Sequence, residues 1–322
     1  MAVLATTKPV AAATVLQRCV CIVLRASAMG NSRKVDLDDI DLKDHETGED
    51  IAGDKGEFRM SKELLDRGEL RACAAVIESA KRYMLGMATR SNRIFGSGTY
   101  LVPILLVREV DERLKQFVDD LNRAVDKLVE RYPEVVERRR VALGKEFRTQ
   151  DYLSPQDVRH EYSLDWSYVS FQAPEQLEEV DRAIYEQTVA QNETRLADAY
   201  DHIIISLRAA ALTVFEELAE RLGDRADGKP KSLHQTALDD LQRFAALLPK
   251  RNIGGDDDLA MVVKQVAAYA EGMDIEMLRK APAVRSGLAQ RAAEAAMKVR
   301  GLVSAVSTQR GIAVGGFDAD PE

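Results

Sequence analysis

Between Pro174 and Gly223 lie 48 residues, 175–222, with no glycine and no proline. Those two residue types break regular backbone most readily, so the stretch reads as helix, and as one straight helix it would span about 72 Å at ~1.5 Å per residue. Leu177, Val180, Ile184, Gln187, Gln191, Leu196, Ile203, Leu207, Ala210, Val214 and Leu218 sketch an a/d-like seam along it, and its middle, Gln187 to Glu193, is polar. Helix propensity alone stabilises little, so such a stripe has to be covered. Antiparallel packing on a helix at 104–131 would bury Val180, Ile184, Leu196, Ile203, Leu207 and Val214; a coiled coil with a second copy would bury the same seam. Asn192 is the position where a break is expected if the helix is not continuous.

The rest of the chain supports a mainly helical reading. Glycine (19) and proline (9) together make up about 9% of 322 residues, against ~12% on average, which leaves few turns for an all-β fold. Apolar residues are 46% and aromatics 6%, so the core is aliphatic. Helix content of roughly 60–70% is expected, about twice the usual share. Val107, Val110, Leu114, Phe117, Leu121, Val125, Leu128 and Tyr132 recur every three or four residues as one continuous stripe, with Pro133 ending that helix or opening the next. Ser61 to about Arg90 reads as an amphipathic helix capped by Ser61, with Leu64, Leu65, Ala72, Val76, Ala80, Tyr83 and Met87 near one side. Ser154-Pro155 marks a short helix start. A capping box at Ser232 opens a helix to Leu248, stopped by Pro249. Asp256, Asp257 and Asp258 start another, running to about Lys280, and Pro282 opens the last, to about Ser307.

Strands are expected only before residue 60, with no four-stranded sheet anywhere. The clearest is Val20 to Leu24, following a ragged amino terminus. Lys8 comes late and Arg18 and Arg25 bracket only six residues, a poor match to a secretion signal. Three cysteines, Cys19, Cys21 and Cys73, cannot pair completely, which points to a reducing compartment, and Cys19 and Cys21 would face the same way on a strand as small core residues. No run of 18 apolar residues suggests a membrane helix. The fold expected is thus mainly α: an elongated helical bundle with long coiled-coil-like helices and a small β-containing amino-terminal segment. Its parts are an amino-terminal strand and acidic segment (1–57), the bundle (58–310) and a disordered tail (311–322).

Charge is unevenly placed. Residues 36–57 carry ten acids and two bases, a balance of −8 that equals the net charge of the whole chain. Residues 279–310 carry seven bases and one acid, Glu294. There Arg285, Arg291, Lys298 and Arg300 alternate with Val284, Leu288, Ala292, Ala295, Val299 and Val303, an amphipathic basic helix that could hold an acidic protein or nucleic-acid phosphates. These four are the candidate partner-binding residues, set against a plain solvated helix face or an intramolecular contact with the acidic segment. With a pI near 5.3, sequence-independent nucleic-acid binding is not the default.

Motifs for catalysis are weak. Gly223 to Lys229 fits the P-loop pattern, but Pro230 stands where the Mg²⁺-holding hydroxyl belongs and a long helix precedes it. The acidic run from Asp36 puts Ile40 or Lys43 where a calcium loop needs oxygen ligands. His45, His160, His202 and His234 are too far apart for a helical metal pair. Tyr152, Tyr162, Trp166, Tyr168 and Phe171 form the densest aromatic patch, read as a local plug rather than a ligand box. An enzyme reading would have to use acids near it, such as Asp157, Glu161 and Asp165, and no nucleophile–base or metal set is visible. No cofactor is indicated.

With the helices placed, the chain resembles the domain-of-unknown-function family 3150, proteins of phages, prophages and plasmids. The similarity rests on Cys21 to Leu24, Gly30 to Val35, Asp36 to Asp39, Arg90, Gly98 to Pro103 with the helix that follows, Tyr132, Asn252, and Asp256 to Leu259, over roughly residues 16 to 300. The family supplies no catalytic residues. The resemblance implies a cytoplasmic protein of a bacterial host and an assembly role beside a ring-forming ATPase. The expected function is that of a non-enzymatic interaction or assembly protein, an adaptor for an ATPase complex associated with a phage or plasmid. The alternative is a nucleic-acid-binding accessory protein using 279–310. Homo-oligomerisation fits either.

Overall fold

The structure, a computed structural model, describes residues 8–35, 60–90, 92–223 and 236–310. It is 74% helical, slightly above expectation. The chain divides into two compact units, each assembled from separate stretches: residues 1–22, 87–107 and 168–322 form one, and residues 23–86 and 108–167 the other.

In the first unit, α1 (Lys8–Arg18) precedes β1 (Cys19–Ser27), and α7 (Arg182–Leu222) is the central helix. The ragged amino terminus expected before β1 is therefore corrected over residues 8–18. Ala11, Ala12 and Val15 give that segment a small-residue face, which packs with Leu196, Tyr200 and Ile203 of α7. The carboxy-terminal half of α7 packs on α8 (Thr236–Arg251) and α11 (Pro282–Arg310), and α9 (Asp257–Ala270) lies against both of those. Leu207, Phe215, Leu218, Leu241, Val263 and Val299 belong to this core. Within its own unit, α1, α8 and α11 pack on the long helix; the expected partner, 104–131, falls mostly in the other unit.

The long helix also breaks elsewhere than at Asn192. Asp181, with φ −160° and ψ 112°, separates α6 (Gln176–Val180) from α7, and its carboxylate accepts from the Ala183 and Ile184 amides at 2.8 and 3.3 Å. An N-capping carboxylate competes well with continued helix, which is why the break falls there. Two further boundaries differ. Gly272, at φ +73°, ends α9 early, and Asp274 caps a separate α10 (Ile275–Lys280), so no single helix runs from Asp257 to Lys280. Pro249 lies inside the last turn of α8 rather than stopping it.

Strands are not confined to the region before residue 60. β4 (Thr89–Arg90) pairs antiparallel with β5 (Thr99–Pro103), in register Thr89↔Leu101. Four strands are hydrogen-bonded in the order β4-β5-β1-β6, with β6 at Ser163–Val169. The expectation of no four-stranded sheet is overturned. All five residues of β5 are buried, so it lacks the alternation that marks a strand in sequence. Gly98, at φ +76°, makes the tight entry into it.

In the second unit, β2 (Ser32–Lys34) pairs with β3 (Ser61–Glu63), and α2 (Arg67–Met87) starts only at Arg67. Ser61 is thus a strand residue and not a helix cap. Asn31 makes this possible by bonding both the amide and the carbonyl of Leu65, at 2.7 and 2.8 Å. The buried face of α2 is Cys73, Ile77, Ala80, Met84 and Met87: Ala80 and Met87 are as expected, and Cys73, Ile77 and Met84 stand in place of Ala72, Val76 and Tyr83. The stripe on α4 (Val107–Leu143) is as expected: Val110 through Tyr132 are buried. That helix passes through Pro133, which removes one backbone bond at a cost of about 3 kcal/mol. Burial of Tyr132 and Val135 on either side offsets that cost.

Candidate functional site

Packing divides the four cations of the basic carboxy-terminal helix. Arg285 is buried: its guanidinium donates to the carbonyls of Leu222 (2.7 Å) and Gly223 (3.0 Å), satisfying the exposed end of α7. It is a structural cap and leaves the surface set. Arg291 stacks over the Tyr269 ring, 4.2 Å from its centroid. Arg300 is paired with Glu216. Lys298 is exposed. Close by, Lys280 is paired with Glu276 on α10. The stripe that looked basic in sequence is therefore largely occupied by internal contacts.

A second polar feature of this unit was not legible in sequence. Arg208 of α7 pairs with Asp256 at 2.6 Å and donates to the Leu302 carbonyl at 2.7 Å. Asp256 in turn caps α9 through the Leu259 amide (3.1 Å), and Asn252 bonds both backbone groups of Asp256. Of the positions that suggested a family, Asn252, Asp256 and Leu259 thus join a bracket between α7, α9 and α11, while Asp257 and Asp258 are exposed.

The aromatic patch disperses. Phe147 stacks on Tyr152 at 4.8 Å, and Tyr152 donates to the Leu64 carbonyl at 3.1 Å. Trp166 donates to Asp111 at 3.1 Å, and burial pushes the Tyr162 hydroxyl well above its ordinary pKa. Phe171 stacks on Phe95 at 3.8 Å. These rings make separate contacts, and Tyr168 of the same patch is exposed. Two of the acids beside them, Asp157 and Asp165, have local side-chain partners. Asp157 bonds Ser154 (2.6 Å), whose hydroxyl caps α5 (Pro155–Glu161) as expected. Asp165 faces Arg25 at 3.5 Å, and Glu161 offers its backbone carbonyl to the Ser27 hydroxyl at 2.9 Å.

Cys19 and Cys21 share one side of β1, in the cluster that contains Leu101 and Ile203. Burial raises both thiols to a pKa of about 12, and at Cys19 the neighbouring Cys21 adds to the rise. They are inert core groups at neutral pH. Among the described residues no group of three or more His, Cys, Asp or Glu side chains could hold a metal. The P-loop-like segment beyond Gly223, the acidic run 36–57, His45, His234, the Ser232 cap and the tail from 311 lie outside the described residues. What the structure does place is α7, a helix, directly before Gly223.

Open clefts among the described residues include two of similar size. One, of about 640 Å³, lies between α8 and α9, walled by Ala245, Leu248, Val263 and Ala267 with Lys264 and Glu271 at its rim. The other, of about 750 Å³, lies beside β2, β3 and the first turns of α2, lined by Asn31, Ser32, Ser61, Arg67 and Arg71. None of Asp157, Glu161 and Asp165 lines either.

The most unusual surface is on α6 and the first third of α7. From Gln176 to Arg195 no residue is buried. Val180 is 79% exposed and Ile184 48%, although the seam expected them inside. Leu196, Ile203 and Leu207 are buried as expected, and Val214 is half-buried. Full burial begins at Leu196, so the first fourteen residues of α7, 182–195, are half-buried at most.

Among the described residues no helix is long and apolar enough to cross a membrane. No curated protein and no solved structure matches the chain. One family profile does, over residues 16–243, a span that includes Cys21–Leu24, Gly98–Pro103 and Tyr132 but stops within α8, before Asn252, Asp256–Leu259 and the basic helix. That match covers well over half of the sequence, and the chain belongs to the family described as protein of unknown function (DUF3150).

Proposed function

We propose that this is a non-enzymatic interaction or assembly protein, and that the segment from Gln176 to Arg195 is where it meets its partner. One observation carries the reading: across α6 and the first fourteen residues of α7 no residue is fully buried, and Val180 and Ile184, on either side of the Asp181 break, are open to water. A helix of that length gains too little from propensity to hold itself straight in water. It becomes well ordered when a neighbour covers its apolar side, by coiled-coil or helix-in-groove packing. The local engagement of Asp157 and Asp165 agrees with a binding role rather than an acid–base one.

The setting proposed is the cytoplasm of a bacterial host, in a phage, prophage or plasmid context, with the protein serving as adaptor to a ring-forming ATPase complex. That part rests on family resemblance alone. The nucleic-acid alternative has less support, because Arg285 is buried and Arg300 is already paired. Affinity purification of the full chain from its host, with mass spectrometry of what accompanies it, tests the reading. An ATPase subunit retained by the native protein and lost on Val180→Asp with Ile184→Asp is the expected result. Equal recovery with both proteins contradicts it. A salt-dependent DNA shift abolished by Lys298→Ala with Arg291→Ala would favour the alternative.

A further inference from the structure

We infer that the cleft between the β2–β3 hairpin and the first turns of α2 binds a diphosphate-bearing small molecule, a role separate from the interaction reading above. This cleft, of about 750 Å³, is lined only by residues of the second unit. Its floor is held from behind. Lys62 alternates with Ser61 and Glu63 along β3 and so faces away from them; its side chain, 9% exposed, lies 2.8 Å from Asp151. Arg139 donates to the Glu63 and Leu64 carbonyls at 2.6 and 3.2 Å, and Asn31 brackets Leu65. The front face is thereby fixed in place yet open, as preorganised recognition of an anion requires.

The groups on that front face are mostly donors. Opposed residues of an antiparallel pair share a face, so Lys34, opposite Ser61, stands with Ser32 and Glu63, which oppose each other. Ser32, Ser61 and Glu63 line the cleft, and α2 adds Arg67, Gly68 and Arg71. Lys34, Arg67 and Arg71 thus face a single acid, Glu63. Glu63 pairs with Arg67 at 2.7 Å, but the Arg67 side chain is 87% exposed and free to turn onto a ligand. Lys34 and Arg71 are exposed, and neither side chain has a bond or ion pair among the described residues. Gly68 adds an independent sign. It is the second residue of a 21-residue helix, its φ is not positive, and an added Cβ would meet nothing within 4 Å. Neither backbone conformation nor packing requires glycine there, and glycine in a helix costs about 1 kcal/mol relative to alanine. A ligand oxygen approaching the backbone of the first turn does require it. Two phosphoryl groups suit the spacing. Arg67 and Arg71, one helical turn apart, grip one with their planar forks, and Lys34 with the serine hydroxyls meets the other. Each phosphoryl group offers three acceptor oxygens where a carboxylate offers two.

Isothermal titration of the full-length protein with inorganic pyrophosphate at low salt provides the test, and one site per chain is expected. Arg71→Ala should weaken binding at least about tenfold with the circular dichroism and melting temperature unchanged, since the side chain is exposed. Arg82→Ala, at an exposed position of α2 outside the cleft, should leave the affinity within about twofold. Gly68→Ala should weaken binding at least about fivefold without lowering the melting temperature, a combination that a purely structural glycine would not give. No binding at millimolar pyrophosphate overturns the inference. So does binding that Arg71→Ala and Arg82→Ala lower alike, the mark of diffuse charge attraction, or binding indifferent to Gly68→Ala. A synthetic peptide of residues 36–57, with its balance of −8, supplies the rival chemistry. If it binds in an Arg71-dependent way and pyrophosphate does not, the cleft takes an acidic peptide and the diphosphate assignment falls. None of these outcomes bears on the 176–195 segment, whose own test is the affinity purification described above.

Discussion

Arg208 and Asp256 meet at 2.6 Å with each side chain only 5% exposed, and between them they tie the middle of the longest helix to the start of α9. Asp256 also caps that helix and Arg208 reaches the Leu302 carbonyl, so the pair has few polar atoms left over. Burying two charges gains little over a well-packed apolar pair, but removing one of them strands the other. Arg208→Met is therefore expected to destabilise the protein by about 3–5 kcal/mol, measured by urea unfolding. Asp256→Asn, which keeps the cap, should lose less than Asp256→Ala. A loss under about 1 kcal/mol for Arg208→Met would show that the pair is not buried in solution.

The four cations of the basic segment should behave unequally. Arg285→Ala leaves the Leu222 and Gly223 carbonyls without their donor and is expected to cost about 1–3 kcal/mol. Lys298→Ala, on an exposed position, should fall within about 0.5 kcal/mol of the native protein. Thermal melts of the two variants side by side decide it, and equal melting points would mean that the α7 carboxy terminus is satisfied by other groups.

The two ends of the long helix should also differ. Ile203→Asp places a carboxylate in the cluster shared by α1 and α7 and should unfold the protein or cost several kcal/mol. Ile184→Asp, nineteen residues earlier on the same helix, should leave the unfolding midpoint almost unchanged. Comparable losses from both would place Ile184 against a surface in the isolated chain.

The strand thiols give a pH dependence of known sign. Burial raises the Cys19 and Cys21 pKa values from about 9 in the unfolded chain to about 12. A group whose pKa is raised on folding stabilises below its unfolded pKa, and that contribution is lost as pH climbs. Melting temperature should show no thiol-dependent change up to about pH 8.5 and then fall between about pH 9 and 12, less steeply for Cys19→Ala with Cys21→Ala. At pH 8 an aromatic disulfide reagent should label neither thiol in the native protein. Rapid labelling would show that β1 opens readily.

Much of this architecture was legible because local signals and tertiary packing agree. The α4 stripe, the Ser154 and Asp256 caps and the Pro282 start all follow from spacing and capping chemistry that need no distant partner. The misreadings occurred where packing decides. β5 is a fully buried run with no alternation, and β3 joins a hairpin only because Asn31 brackets Leu65. α1 is made of small residues whose helical face has meaning only against α7. At the surface, Arg285 and Arg300 look alike in sequence, and only the position of the α7 terminus makes one a cap and the other half of an exposed pair. The exposed arm was hidden for the converse reason: Val180 and Ile184 continue the apolar seam in sequence, yet both are exposed, and the chain leaves helix at Asp181 between them.

Whether that arm truly lacks a cover in the isolated protein is the question on which the interaction reading stands. Amide hydrogen exchange along α7, at a concentration where sedimentation shows a monomer, answers it directly. The amides of 182–195 are expected to exchange at least about a hundredfold faster than those of 199–218, because few buried contacts hold the first third of the helix closed. Uniform slow exchange along the whole of α7 would contradict the account, since a helix already protected to its first turn leaves nothing for a partner to cover.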